Sequence, residues 1–113
     1  MIEKTVLNYL SRELTDPVYM ETPAVVPQRY VLVEKTGSGV SNHICSAVIA
    51  VQSISSVSLY DAASLNETVK TVMDEIITLP EVSKSELNSD YNFTNTKTKE
   101  YRYQAVYDLV YFN

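Results

Sequence analysis

Apolar residues at the start of the chain recur at three- and four-residue steps. Ile2, Val6, Tyr9, Leu10 and Leu14 therefore share one face of a first helix. That helix must stop near Asp16-Pro17, because proline drives the residue before it out of helical geometry. Pro17, Pro23 and Pro27 punctuate the connector that follows, where only Val18 to Met20 can be strand, confined by nearby proline to a sheet edge. From Arg29 the pattern becomes β. Tyr30 to Val33 is apolar, Gly37-Ser38-Gly39 interrupts, and His43 to Ile54 resumes with many β-branched residues. The two runs predict an antiparallel hairpin whose flexible polar tip, Lys35 to Asn42, is centred on the glycines.

Ser58 followed by Asp61 resembles a capping box with Asp in place of Glu, and it announces the second helix. Leu59, Ala62, Leu65, Val69, Val72, Met73 and Ile76 hold helical spacing up to Pro80, while Asp61, Glu67, Lys70, Asp74 and Glu75 fall mostly outside that stripe. This predicts a helix lying on a sheet with its back in water. Lys84 to Phe93 and Lys99 to Phe112 predict a second hairpin around Thr94 to Thr98, giving a second polar tip, Thr94 to Lys99. In the last strand Tyr101, Tyr103, Tyr107 and Tyr111 share one parity with Leu109, while Val106, Val110 and Phe112 lie opposite with Arg102, Gln104 and Asp108. Both faces want cover, so this strand belongs in the middle of a sheet or at a contact between subunits. The expected fold class is α+β. An antiparallel sheet of four or five strands carries two helices, in the order α, β-hairpin, α, β-hairpin.

A chain of 113 residues is sized for one domain. With 45% hydrophobic and 20% charged residues it should fold unaided. A net charge of -5 argues against gripping a phosphate backbone, which needs clustered Lys and Arg. The single Cys45 cannot form an internal disulfide and fits a reducing compartment; with one histidine beside it, soft ligands are too few for a closed zinc site. Charged residues interrupt the apolar positions of Met1 to Leu14, so no signal peptide or membrane span is expected, and the cytoplasm is the expected place of synthesis.

Candidate chemistry is sparse. His43 and Cys45 share a strand parity, which makes a nucleophilic pair conceivable, but such a pair needs hydrogen-bond contact and a third group to orient the base. A buried thiol and a histidine at a strand's solvent end account for them more simply. Glu34, Asp61, Asp74, Glu75, Glu81, Glu86 and Asp90 are scattered, with no spacing that implies acid/base work or a metal site. Gly37-Ser38-Gly39 leads into a strand and not a helix N-terminus, so it is not a phosphate cradle. Lys97, Lys99 and Arg102, interleaved with Tyr101 and Tyr103, superficially resemble a single-strand-binding platform, against which the acidic remainder counts. No catalytic, cofactor or metal residue is expected. Lys35, Gly37, Ser38, Gly39, Lys97, Lys99, Tyr101, Arg102 and Tyr103 are the candidates for contact with a partner.

The segments PVYMETP, RYVLVEKTGSG, SLYDAASLNETVKTVMDEI and LNSDYNFTNTKTKEYRYQAVYDLVYF together resemble the tail terminator (tail completion) proteins of long-tailed bacteriophages, particularly those infecting Gram-positive hosts. The likeness spans nearly the whole chain and is sharpest from Tyr91 to Tyr107. It implies a virion protein, assembled in the host cytoplasm, whose copies form a ring, usually a hexamer, on the head-proximal end of the tail tube. Such a ring stops tube polymerisation and offers a docking surface to head-completion or neck proteins. Genomic DNA crosses its lumen without specific binding, and neither a membrane nor a cofactor is involved. Two alternatives remain at this level: another neck or head-closure subunit, and a small hydrolase using His43.

Overall fold

A computed structural model describes residues 1–94 and 100–112. The described residues form helix α1 (Ile2–Glu13), strands β1 (Val18–Tyr19), β2 (Arg29–Ser41) and β3 (Ile44–Ser55), helix α2 (Leu59–Met73), a 3-10 turn at Ile76–Thr78, and strands β4 (Val82–Asn92) and β5 (Tyr101–Tyr111). The strands make one sheet in the order β1-β2-β3-β5-β4. All pairings are antiparallel except that of β1, which joins the edge of β2 in parallel through Val18 to Val31 and Tyr19 to Leu32. The α+β class and element order match the sequence expectation, with β1 making the sheet mixed. The tyrosine-rich strand β5 lies inside the sheet, between β3 and β4.

Both helices pack on one face. Ile2, Val6, Tyr9 and Leu10 of α1 and Leu65, Val69 and Met73 of α2 meet Val31, Val33, Ala47, Ile49, Val51, Ala105, Tyr107 and Leu109 from the sheet. Each fully buried aliphatic side chain in this layer contributes on the order of 1.5–3 kcal/mol. The Tyr9 hydroxyl donates to the Val72 carbonyl at 2.6 Å, tying α1 to the last turn of α2. Ser58 caps α2 by accepting from the Asp61 amide at 3.0 Å. The reciprocal half of a capping box is not made: the Asp61 carboxylate takes Arg29 Nη1 and Ser55 Oγ, each at 2.6 Å. Asp61 and Lys70, expected at the solvated back of the helix, are therefore tie points, Lys70 reaching Asp90 of β4. Regular α-helix ends at Met73, so Ile76 enters the core from the 3-10 turn, and Leu59 is exposed.

The first hairpin does not turn at its glycines. β2 runs through Gly37, Ser38 and Gly39, and the turn is made by Asn42 and His43, with φ of 52° and 67°. Asn and His tolerate left-handed geometry better than most residues, and two such residues in succession build the tight turn whose twist suits a hairpin. Neither glycine has positive φ. A bulge between Lys35 and Gly37 shifts the register, leaving Gly37, Gly39 and Ser41 facing away from the helices.

Tyr107 lies in the core, its hydroxyl without a hydrogen-bond partner among the described residues. Burial first, then the carboxylates of Asp74, Asp90 and Glu67, push its ionisation well above the ordinary 10.0. A raised folded-state value means that the neutral phenol's contribution is complete below about pH 10 and is lost as pH climbs through that raised value. Tyr107→Phe should change stability at pH 7 by less than about 1 kcal/mol. Its melting temperature should also fall less steeply above about pH 10 than that of the unaltered protein. Parallel alkaline declines would assign the loss to another group.

Candidate functional site

The sheet face opposite the helices carries no helix among the described residues, and its side chains form rows across the strands. One row is Leu32, Gln52, Gln104 and Tyr91; the next pairs Glu34, Ala50, Val106 and Ser89. Beyond them Gly37, Val48, Asp108 and Glu86 align, then Gly39, Ser46, Val110 and Lys84. The face thus has a polar row at one end, a mixed row in the middle, and at the other end glycines and small residues beside the charged Asp108, Glu86 and Lys84.

The polar end is a continuous hydrogen-bond network. Arg102 Nη1 donates to Gln52 Oε1 at 2.6 Å, Gln52 Nε2 to Gln104 Oε1 at 3.0 Å, and Gln104 Nε2 to the Tyr91 hydroxyl. The other Arg102 nitrogen pairs with Glu100, whose second oxygen accepts from the Tyr30 hydroxyl at 3.1 Å. Burial first, and then Glu100, raise the Tyr30 ionisation, an effect that Arg102 partly offsets. Gln52 and Gln104 are only 7% and 8% exposed although no helix among the described residues covers them, and both are hydrogen-bonded within the network. Paired amides within the sheet are satisfied without solvent, so the network stiffens the face.

The opposite end is open. Gly37, Gly39, Ser46, Val48, Asp108 and Val110 line a shallow hollow of about 330 Å³. Near it, Val40 is 74% exposed and Ile44 47%. Of the partner candidates, Lys35, Gly37, Ser38 and Gly39 fall together on this stretch of β2, and Arg102 sits in the network. Tyr101 and Tyr103 are half-buried on the helix side of β5, away from Arg102. Lys97 and Lys99, with the rest of the second tip beyond Thr94, lie outside the described residues.

Gln52, Gln104, Glu100 and Tyr30 carry no motif that announces the network. Their only sequence signal is two glutamines at strand positions whose register places them side by side, and that register is visible only once β3 and β5 are paired. His43 and Cys45 do not form a strand pair: His43 is an exposed turn residue, while Cys45 is buried. Among the described residues no three His, Cys, Asp or Glu side chains come together to hold a metal ion, and no helix is long and apolar enough to cross a membrane. The arrangement offers binding surfaces: a rigid polar patch, a shallow hollow and open strand edges.

No protein-family model matches the chain, and no curated protein matches it. Among solved structures it is similar to a chain in the virion of a native gene transfer agent particle, with a TM-score of 0.65 and 11% sequence identity, over 96% of this chain and 84% of that one. At that identity the likeness is one of fold, and it spans nearly the whole domain.

Proposed function

We propose that this chain is a virion structural protein whose copies form a ring, a hexamer in the usual arrangement, on the head-proximal end of a phage tail tube. The ring stops tube polymerisation and presents a different surface to the head-completion or neck protein. The observation that carries this reading is the fold shared, over 96% of the chain, with a component of a gene transfer agent virion. The helix-free sheet face supports it, since a rigid two-sided layer gives one surface to each neighbour. Its mechanism is steric. Binding energy replaces tube–tube contacts at the last layer, and no bond is made or broken. The acidic balance of -5 suits a ring through which DNA passes without being held.

The test is to mix the purified protein with the tail-tube subunit of the same phage and image the products. Closed rings at one end of tubes of uniform length are expected. A protein that binds only a head connector would move the assignment to another neck subunit, and one that binds neither would overturn it. His43→Ala and Cys45→Ser should leave capping intact, the serine variant losing about 1 kcal/mol of stability from the buried thiol site. A folded His43→Ala protein that cannot cap tubes would point to chemistry at that residue.

A further inference from the structure

Among the described residues two edges of the sheet are open. β1 covers β2 only at Val31 and Leu32, so among the described residues nothing pairs with the outer edge of β2 from Lys35 to Ser41. Among the described residues β4 pairs only with β5, leaving its other edge free on the far side of the same sheet. β2 and β4 run in opposite directions, because three successive antiparallel pairings separate them. A copy placed beside another in the same orientation therefore brings β4 against β2 in antiparallel register, with the helices of both on one side.

The two edges also differ in charge. All fourteen carboxylates of the chain lie outside Lys35 to Tyr60, and within that span Lys35 and His43 are the side chains able to carry positive charge. β4 holds Glu86 and Asp90 and follows Glu81. Glu86 stands directly opposite Asp108 of β5, a like-charge pair moderated by the exposed Lys84, 3.6 Å from Glu86, and by the amide of Asn88. Chains of net charge -5 repel one another, and an edge whose own strand stretch holds no carboxylate lessens that repulsion, the nearby ones being Glu3, 3.7 Å from Lys35, and Asp108 in the hollow.

The glycines add an independent point. Both glycines of the chain lie in this stretch of β2 and face the bare side of the sheet. A Cβ at Gly37 would meet nothing within 4 Å, and one at Gly39 only Ser46 Oγ at 3.5 Å. Glycine weakens a strand and marks either a bulge, such as the one beside Gly37, or the close approach of another backbone; with negative φ at both positions and open space around Gly37, close approach accounts for the pair, Gly39 lying beyond the bulge.

We propose that copies of this chain join head to tail by strand addition, the β2 edge from Lys35 to Ser41 pairing with the β4 edge of the next copy around Lys84 to Leu87, the regular stretch between the two β4 irregularities. Gly37 and Gly39 leave room for the long side chains of Lys84 and Glu86 in the incoming strand. The contact rests on the ring reading and deepens it, since contacts between unlike surfaces are what close a ring.

The test uses the free protein. Its mass, followed by sedimentation up to about 1 mM, should rise with concentration. Val40→Glu with Ile44→Glu, at exposed positions, should keep the melting temperature and associate at least about tenfold more weakly. Gly37→Ala with Gly39→Ala should melt higher and still associate more weakly, a pairing of effects that a purely local role for the glycines does not give. In a Cys45→Ser background, Val40→Cys chains and Glu86→Cys chains should be joined by a flexible bis-maleimide only when mixed. The chain carrying both substitutions should give a ladder of products. A free protein that stays monomeric, a glutamate variant that associates like the unaltered chain, or Val40→Cys chains joined to one another would each overturn the head-to-tail edge contact. Capping of tubes by the unaltered protein is measured separately, so the ring reading can survive any of these outcomes.

Discussion

Asp61→Ala should lower stability by about 2–3 kcal/mol, the range for losing hydrogen bonds to a charged group at a partly buried site. For a domain of this size that is a fall of roughly 8–12 °C in melting temperature. The Asp61 carboxylate is the single acceptor joining three separate segments: Arg29 at the start of β2, Ser55 at the end of β3, and α2, on which it sits. The side chains of Arg29 and Asp61 are 31% and 24% exposed, so solvent weakens the pair without erasing it. Arg29 keeps Asp16 as a partner at 3.2 Å, which limits the loss. Ser58→Ala is the control, because it removes the helix cap while leaving the junction, and should cost about 1 kcal/mol. The cap itself survives in Asp61→Ala, since Ser58 receives the backbone amide and not the side chain. Equal losses in the two variants would mean that the carboxylate does no more than favour the helix terminus.

Periodic apolar positions identify α1, α2 and the interior place of β5, because each signal is local or follows from side-chain parity on one strand. The position of the first turn is not legible by the same means. Glycines advertise turns, but in β2 they sit within the strand, and the turn falls on Asn42-His43, where left-handed geometry is tolerated without glycine. The bulge after Lys35 then reverses which side chains face the helices, a one-residue event that no alternation pattern reveals. The bare-face network was half visible. Arg102 stands out as a cation among tyrosines, whereas Gln52 and Gln104, 52 residues apart, acquire meaning only through strand register. The exposed charges of α2 read as solvated because helical spacing says which way a side chain points and not what tertiary neighbour awaits it, as Asp61 and Lys70 demonstrate.

Arg102→Ala should lower stability by roughly 1–3 kcal/mol, because it strands polar groups that the fold has already removed from water. Gln52 Oε1 would lose its donor on a residue only 7% exposed, and the Glu100 carboxylate would keep only the Tyr30 hydroxyl of its two partners. Without the cation, Glu100 acts unopposed on Tyr30, so the Tyr30 phenol should ionise at still higher pH than in the unaltered protein. Arg102→Lys should recover less than half of the loss, because a lysine ammonium lacks the planar fork that serves Gln52 and Glu100 together. The effect should also travel. Gln52, Gln104 and Tyr91 connect β3 to β5 and then to β4, which among the described residues pairs with a strand along one edge only and is otherwise tied through Asp90 to Lys70. Backbone amides of β4 around Tyr91 should therefore exchange with solvent faster in Arg102→Ala, while those of α1 keep their protection relative to global stability. A melting curve displaced by less than about 0.5 kcal/mol, with unchanged exchange in β4, would reduce the network to an ornament of the surface and leave β4 to be held in place by its backbone pairing and the Lys70–Asp90 pair.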